Sequence, residues 1–239
     1  MVEAAVCPVH HLPTTRPTSF DPAADLKPGQ PIGHRYEIVY ALGRGAMGAV
    51  YAAKQLSVDR LVALKMMSPG ALREGRESVR RFHHEARSAS RLNHPNIVAV
   101  HDFGVDEDLG MPFIAMELLE GETLAEVIRA RAPLPLGEAA AIASRIARGL
   151  AAAHRLGIVH RDLKPENVIV HAPPGDELHV KIVDFGIARP MTGRPAPGPD
   201  DAGAIEGTPR YMSPEQIRGE PIDGRADLYA LGWVLCELL

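Results

Sequence analysis

The sequence predicts an α+β fold in which a strand-rich part precedes a helical part. Short β-branched or aromatic runs separated by turn residues dominate the first half, interrupted by a single amphipathic helix. Longer Ala-rich and Leu-rich runs with helical spacing dominate the second half. Because sheet and helices are segregated along the chain, we expect two lobes of unlike architecture with a cleft between them.

The strand-rich part contains five runs that predict a five-stranded antiparallel sheet, at 36–42, 49–54, 61–66, 97–103 and 112–118. Between the third and fourth runs, residues 78–92 carry apolar side chains three or four positions apart, which predicts one helix. Asn93-His94-Pro95 would end that helix. We therefore assign residues 31–120 to the first lobe and the segment that leaves it.

The helical part, residues 121–239, has predicted helices at 123–130, 136–156 and 224–239 and short strands at 168–170 and 180–183. A stretch dense in Pro, Gly and Asp, residues 189–207, predicts a mobile loop. At the other end of the chain, residues 1–30 are Pro-rich and lack apolar periodicity, which predicts a disordered leader. Cys7, His10 and His11 in that leader could contact a metal, but a closed zinc site needs four ligands, and a solvated tail is the simpler interpretation.

Composition narrows the class of protein. With 239 residues, 46% hydrophobic and 23% charged, the chain can bury a sizeable core. A net charge of -4 gives no general attraction to nucleic acid or an anionic membrane. Two cysteines at opposite ends make no disulfide framework, which favours a reducing compartment and a cytoplasmic location. The longest apolar run, 228–239, is too short for a membrane span and contains Glu237.

A glycine-rich motif suggests a phosphate-binding loop. Gly43, Gly45 and Gly48 form G-x-G-x-x-G between two predicted strands, and glycines let backbone N–H groups approach phosphates closely. A dinucleotide-binding fold would need a helix directly after the motif, whereas 49–54 reads as a strand. A plain hairpin turn remains the alternative. Lys65, on the next predicted strand, favours phosphate binding because its ammonium could reach a bound nucleotide.

Glu85 offers a partner for that lysine. It lies beside the apolar face of the predicted helix, 20 positions after Lys65, and an opposite charge would keep the ammonium directed into the cleft. A solvated helix glutamate is the alternative interpretation. The offset suits an ion pair, which we therefore expect.

Two further motifs make the assignment specific. Residues 160–167 read His-Arg-Asp-Leu-Lys-Pro-Glu-Asn, and residues 184–186 read Asp-Phe-Gly. Together with the glycine loop and its lysine, in this order, they resemble the signatures of protein kinases. Asp-Leu-Lys-Pro-Glu-Asn is similar to the serine/threonine type. The chain thus resembles a bacterial, eukaryotic-type (Hanks-type) serine/threonine protein kinase domain with a protein-kinase-like two-lobe fold.

The resemblance implies a role for each of these residues. Asp162 would orient the substrate hydroxyl and accept its proton, and Lys164 would lie near the γ-phosphate. Asn167 and Asp184 would hold Mg²⁺, or Mn²⁺ in its place, because hard cations prefer oxygen ligands. Lys65 would bind the α- and β-phosphates of ATP. His160 and Phe185 would pack and align the loops, while Asp227 would accept backbone N–H bonds from the catalytic loop.

The adenine site also follows from the resemblance. Met116 matches the gatekeeper, and backbone groups of Glu117 and Leu119 would bond the base. Apolar side chains would enclose it, namely Leu42, Val50, Ala63 and Ile169. The same apolar residues fit a plain core, and both interpretations can hold together.

Two features depart from the family pattern. Hydroxyl residues are sparse in 186–212, where Asp200, Asp201 and Glu206 stand in the region of the threonines that the family phosphorylates. We hypothesise that these carboxylates partly replace a phosphate. The family also continues with further helices after the one that ends at Leu239, so the resemblance implies a C-terminally truncated domain. Its last helix would expose an apolar face that favours self-association or a partner. The residues expected on that face are Leu228, Leu231, Trp233, Val234, Leu235, Leu238 and Leu239.

The sequence therefore predicts a protein serine/threonine kinase that uses ATP and magnesium on protein substrates. The alternative is a catalytically inactive pseudokinase, or a truncated fragment, that acts as a binding module. A small-molecule phosphotransferase is disfavoured because the resemblance to an activation segment, which ends at Gly207 to Glu215, is not expected in that class.

Overall fold

A computed structural model describes residues 5–6, 13–14, 26–45, 48–67, 82, 86–172, 177–185 and 209–239. The chain divides into two compact units. Unit 1 comprises residues 1–86 and 100–118, and unit 2 comprises residues 87–99 and 119–239. The predicted loop at 189–207 and the leader residues Cys7, His10 and His11 lie outside the described residues.

Unit 1 is built on a six-stranded sheet in which all neighbours are antiparallel. The order is β3-β4-β5-β6-β8-β7, with β3 at Pro31–Ile32, β4 at Tyr36–Gly45, β5 at Gly48–Gln55, β6 at Arg60–Met67, β7 at Val100–Asp106 and β8 at Met111–Glu117. The five predicted strands are confirmed as β4 to β8. The two-residue β3 was not predicted. A separate pair, β1 at Ala5–Val6 and β2 at Pro13–Thr14, lies in the leader.

The two faces of the sheet alternate along β6. Val62, Leu64 and Met66 point into the core of unit 1, together with Tyr51 and other apolar residues of the neighbouring strands. The residues between them, Ala63 and Lys65, therefore lie on the opposite face. Strand β6 thus supplies a core face and a second face from the same eight residues.

The predicted helix of unit 1 is described in part. Phe82 and residue 86, at the end of unit 1, are helical, as are residues 87–89, which belong to unit 2. Phe82 and Ala86 are buried. Their four-residue spacing is that of one helical face, as the sequence predicts. Glu85 lies outside the described residues.

Unit 2 is mostly helical. Its helices are α1 at Leu124–Arg131, α2 at Leu136–His154, α3 at Pro214–Arg218 and α4 at Arg225–Leu238. Helix α1 begins at a capping box in which Thr123 and Glu126 satisfy each other's backbone N–H groups. The apolar faces of α2 and α4 contribute Ile142, Ile146, Leu150 and Val234 to one buried core.

A small sheet supports the loops of unit 2. Strands β9 (Glu122–Thr123), β10 (Val168–His171) and β11 (His179–Ile182) pair antiparallel in the order β11-β10-β9. Gly121 precedes β9 with a φ of 117°, and a Cβ there would stand 2.3 Å from the Val170 carbonyl oxygen. Only glycine therefore fits the approach to β10.

The last helix, α4, buries one face and exposes another. Leu228, Trp233 and Leu239 are 54%, 39% and 53% exposed, which confirms the prediction of an uncovered apolar face. The prediction is wrong for Val234 and Leu238, which are fully buried because they pack in the core that α2 shares. Within the described ranges, no helix combines the length and apolar character needed to cross a membrane.

Candidate active site

In unit 1, two residues predicted to contact the nucleotide, Val50 and Ala63, lie on the same face of the sheet as Lys65. We call this face the Lys65 face. Register places Val50 and Ile114 on either side of Lys65, and Ala52 and Met116 on either side of Ala63. Directly paired residues of an antiparallel sheet point to the same side. Lys65 is 8% exposed, and its direct cross-strand neighbours on this face, Val50 and Ile114, are both apolar.

The glycine loop is the hairpin that joins β4 and β5. Gly45 pairs with Gly48 and Gly43 pairs with Val50, while a register shift between Ala41 and Gly43 leaves Leu42 as the extra residue. Leu42 is exposed. The predicted strand-turn-strand arrangement is confirmed, and a helix does not follow the motif. The two residues at the tip, 46 and 47, lie outside the described residues.

In unit 2, residues 160–167 are the segment that the sequence predicts to be the catalytic loop, and two of them, Lys164 and Asn167, contact Asp162. Lys164 Nζ lies 3.0 Å from Asp162 Oδ2. Asn167 Nδ2 donates to the Asp162 carbonyl oxygen at 2.8 Å and to Oδ2 at 3.4 Å. Within the described part of the chain, no hydrogen bond or ion pair reaches Asp162 Oδ1. The structure thus brings the three predicted catalytic residues together, with one carboxylate oxygen engaged and the other available.

Asp227 supports the catalytic loop from the first turn of α4. Its Oδ2 accepts from the His160 N–H and its Oδ1 from the Arg161 N–H, both at 2.8 Å. Asp227 is 1% exposed, so these bonds satisfy a carboxylate that has no solvent. The predicted fastening of the loop by Asp227 is confirmed.

His154, at the end of α2, is a supporting residue that the sequence did not reveal. Its Nε2 lies 2.7 Å from Asp227 Oδ2, which makes it a third donor to the buried carboxylate. Nothing in the helical spacing of α2 distinguishes His154 from an ordinary residue of the last turn. A search for hydrogen-bond donors to Asp227 could have found His154, because a buried carboxylate in an apolar helix needs several donors.

Arg161 adopts a left-handed conformation with a φ of 67°, which is costly for a residue with a side chain. Burial lowers the pKa of its guanidinium, and the nearby Asp227 carboxylate opposes that shift. An arginine guanidinium remains protonated in proteins, so the side chain carries a positive charge. A strained, positively charged residue therefore immediately precedes Asp162.

His160 joins the catalytic loop to the segment that carries Asp184. Its Nε2 lies 3.0 Å from the Val183 carbonyl oxygen, which can only accept, and its Nδ1 accepts from the Asp162 N–H at 3.3 Å. The ring is fully buried and packs against Phe185 with centroids 4.7 Å apart. This confirms the predicted aligning role of His160 and Phe185.

Asp184 and Asn167 provide oxygen donors of the type that Mg²⁺ prefers. Asn167 commits its amide nitrogen to Asp162, so its Oδ1 is the atom left for a cation. The backbone carbonyl oxygen of Asn167 accepts from the Val183 N–H at 2.9 Å. Val183 immediately precedes Asp184, which has a φ of 52°. The donor chemistry fits a hard divalent cation. Among the residues that the structure describes, no group of three or more His, Cys, Asp or Glu residues suits a metal ion.

The remaining predicted adenine residues lie at the ends of strands or on β10. Glu117 ends β8, and Leu119 follows two positions later, half-buried. Ile169 is paired with Thr123 and Lys181 in the small sheet, and it is half-buried between the buried Val168 and Val170. Backbone groups of Glu117 and Leu119 and the side chain of Ile169 keep the roles predicted for them as expectations.

Comparison with known proteins identifies a family. The family described as "Protein kinase domain" matches residues 36–239. Serine/threonine-protein kinase pkn3 of Myxococcus xanthus is 44% identical over 220 residues, which cover 91% of this chain and 40% of that protein. Serine/threonine-protein kinase PrkC of Bacillus subtilis (strain 168) is 41% identical over 212 residues, covering 88% of this chain and 31% of that protein. The chain therefore spans less than half the length of these two relatives.

Solved structures agree. The crystal structure of the Mycobacterium tuberculosis PknI kinase domain matches with a TM-score of 0.69 and 34% identity, over 90% of this chain and 77% of that chain. A double mutant of the same domain matches with a TM-score of 0.72 and 33% identity, over 90% of this chain and 78% of that chain.

Proposed function

The chain belongs to the protein kinase family, and from this premise we propose that it transfers the γ-phosphate of ATP to serine and threonine hydroxyls of proteins. The observation that carries the proposal is the cluster of Asp162, Lys164 and Asn167 around one carboxylate with an available oxygen. The relatives that carry the name serine/threonine-protein kinase support the choice of hydroxyl.

Asp162 is the residue proposed to act on the substrate hydroxyl. Its Oδ1 would accept a hydrogen bond from that hydroxyl, which orients the oxygen toward the γ-phosphorus. As the new oxygen–phosphorus bond forms and the bond to the leaving ADP oxygen breaks, the hydroxyl proton passes to Asp162. Lys164, held 3.0 Å from Asp162 Oδ2, would place a positive charge beside the phosphoryl oxygens as their charge redistributes.

Further residues would hold the nucleotide. We propose that Lys65 binds the α- and β-phosphates and pairs with Glu85, and that the glycines at 43, 45 and 48 offer backbone N–H groups to the phosphates. Leu42, Val50, Ala63 and Ile169 would contact the adenine ring, and backbone groups of Glu117 and Leu119 would bond its edge. Val50, Ala63 and Lys65 lie on one face of the sheet, which supports their assignment to the same nucleotide site.

Asn167 and Asp184 would hold a divalent cation, Mg²⁺ or Mn²⁺. Such an ion, when bound, neutralises triphosphate oxygens and so lowers the barrier to transfer. The contribution of this chain is the orientation of the two side chains. Asn167 is fixed through Asp162, and Asp184 is fixed through the backbone bonds of Val183.

The setting of the protein is part of the proposal. We expect it to act in the cytoplasm, where ATP is available.

The exposed apolar residues Leu228, Trp233 and Leu239 on α4 would favour contact with a second copy or another protein. Size-exclusion chromatography with light scattering, at several concentrations, tests self-association.

Substitution Asp162→Asn tests the activity. It keeps the shape of the side chain but removes proton acceptance at the second oxygen, and we expect phosphate transfer to fall by about 10²- to 10⁴-fold. ATP binding, measured as a magnesium-dependent rise in Tm, should remain. Transfer of labelled γ-phosphate to a generic Ser/Thr protein substrate and to the protein itself provides the readout.

The outcomes separate the proposed kinase from its alternative. Wild-type protein that binds ATP and magnesium but transfers no phosphate would indicate a pseudokinase that acts as a binding module. Transfer that Asp162→Asn leaves unchanged would mean that another residue orients the hydroxyl. Failure to bind nucleotide at all would contradict both.

A further inference from the structure

Gln216, in the short helix α3, uses both polar atoms of its amide, one toward the catalytic loop and the other toward the start of its own helix. Its Nε2 donates to the Arg161 carbonyl oxygen at 2.8 Å. Its Oε1 accepts from the Ser213 N–H at 3.0 Å. The motif analysis of the sequence gave Gln216 no role, and it lies 55 positions after Arg161.

The chemistry of the two partners fixes the orientation of this amide. A peptide carbonyl can only accept and a peptide N–H can only donate, so Nε2 must face Arg161 and Oε1 must face Ser213. Only a carboxamide of this length supplies a donor and an acceptor at once. A carboxylate would put negative charge against the Arg161 carbonyl oxygen.

The bond to Arg161 acts on a strained part of the backbone. Arg161 has a φ of 67°, and conformations of this kind persist only where the surroundings hold them in place. Asp227 holds the N–H of Arg161, and Gln216 holds its carbonyl oxygen. Side chains from two different helices thus hold both polar backbone groups of the strained residue.

The peptide between Arg161 and Asp162 is itself held at both ends. Its carbonyl oxygen accepts from Gln216, and its N–H, which belongs to Asp162, donates to His160 Nδ1. Rotation of this peptide would change ψ of Arg161 and φ of Asp162, and so would redirect the carboxylate that Asp162 carries. Removing one of two opposed restraints frees that rotation.

We infer that Gln216 is a positioning residue for Asp162, which it orients by holding the Arg161–Asp162 peptide in place. The inference rests on the proposed function for its effect on rate. It also links the catalytic loop to Ser213, so that a displacement of the segment that begins α3 would reach Asp162 through one side chain.

The test compares Gln216→Glu and Gln216→Ala with wild type, using Gln55→Glu as the matched control. Gln55 is at the end of β5, where its Oε1 accepts from Arg60, and the same change there keeps that acceptor. Because misplacement of a reacting group by about 1 Å can cost 10²-fold, we expect both Gln216 variants to lower kcat by about 10- to 100-fold. KM for ATP should stay within about twofold in all variants, and Gln55→Glu should match wild type.

A pH profile separates positioning from a general loss of structure. Protonation of the introduced glutamate restores an O–H donor to the Arg161 carbonyl. The ratio of Gln216→Glu to wild-type activity should therefore rise as the pH is lowered from 8 to about 5.5, nearer to the ordinary pKa of glutamate. The ratio for Gln216→Ala should stay flat.

Hydrogen exchange gives a readout that does not need activity. Exchange in peptides covering 160–167 should accelerate in both Gln216 variants and not in Gln55→Glu, with the rest of unit 2 unchanged. Wild-type kcat in both Gln216 variants overturns the inference, and so does a uniform acceleration throughout unit 2. Should the wild type transfer no phosphate, the proposed function fails, and unchanged local exchange would then overturn the inference by itself.

Discussion

The Lys65 face of unit 1 and the catalytic loop of unit 2 position their side chains in different ways. On the Lys65 face, a continuous ladder of strand hydrogen bonds sets the position of Val50, Ala63 and Lys65. In the catalytic loop, single hydrogen bonds with the side chains of the buried Asp227 and the half-buried Gln216 hold Arg161, whose backbone conformation is unfavourable. A substitution on the ladder should affect only what the side chain touches, whereas one in the loop's supports should move several groups together.

The same arrangement recurs before Asp184, the other acidic residue predicted for the site in unit 2. Val183 precedes Asp184 as Arg161 precedes Asp162, and both of its backbone polar groups are held. Its N–H donates to the Asn167 carbonyl, and its carbonyl oxygen lies 3.0 Å from His160 Nε2. Both acidic residues thus depend on neighbours whose backbone is anchored from outside.

The largest effect that this comparison predicts comes from Asp227→Asn. The amide keeps one acceptor oxygen and loses the other, so at least one of the bonds to His160, Arg161 and His154 is lost in a buried site. We expect about 3 kcal/mol of destabilisation, a Tm lower by about 10 °C and a kcat lower by about 100-fold. Calorimetry measures the stability and the Tm, and steady-state kinetics measures kcat. A variant that loses stability but keeps kcat would show that the loop does not depend on this support.

A matched pair of substitutions on the two faces of the sheet should give an intermediate effect. Val50→Ala removes two methyl groups from the Lys65 face, which should raise KM for ATP about tenfold at about 0.8 kcal/mol per group. Its kcat at saturating ATP and its Tm should change little. Val62→Ala removes the same groups from the core, and it should cost about 2 kcal/mol of stability without changing KM.

Those two variants also test the comparison directly. If Val50→Ala lowers kcat as strongly as it raises KM, the Lys65 face is coupled to the chemistry and does not act locally. If Val62→Ala raises KM as much as Val50→Ala does, the two faces of the sheet are not independent. Isothermal titration with ATP and magnesium, beside kinetics, distinguishes these cases.

The smallest predicted effect concerns the pH dependence of stability. Burial lowers the pKa of His94, with help from Arg155, Arg148 and Lys181. Its Nδ1 also accepts from the Asn96 N–H, a bond that protonation abolishes. Since the folded-state pKa lies below the ordinary value, this contribution to stability is present above pH 6.5 and is lost as the pH falls below it.

His94→Asn removes the titration and keeps a side-chain acceptor for the Asn96 N–H. Between pH 7 and 5.5 the variant should lose about 1 to 2 °C less Tm than wild type. The pKa of His101, on β7, is also lowered, by partial desolvation of its ring and by Arg60, but the residue as a whole is exposed and should matter less. An equal gain from His101→Asn would contradict the importance given to the Asn96 bond.

Local pattern was sufficient to predict most of the fold. Short β-branched or aromatic runs located β5, β6 and β8 within two residues of their ends, and helical spacing located α1, α2 and α4. The two-residue β3 escaped because Pro31–Ile32 is too short to form such a run. The degree to which Val234 and Leu238 are buried also escaped, because the sequence does not say which residues of α4 face α2.

The site could be predicted only where residues lie close together in the chain. The contacts of Asp162 with Lys164 and Asn167 are contained in one short motif. The contacts of Gln216 with Arg161 and of His154 with Asp227 span 55 and 73 positions, and no periodicity relates their ends. Such tertiary hydrogen bonds depend on the packing of whole helices, so they become visible only in three dimensions.

Because the two faces alternate along β6, the number of residues before Val62 decides which side chains face the core. Inserting or deleting one residue before Val62 would exchange the two faces, driving the Lys65 ammonium into the apolar core and turning Leu64 outward. A shift by two residues would restore the faces but move the lysine by one full repeat. In this strand, the number of residues therefore determines the two faces as much as the type of each residue does.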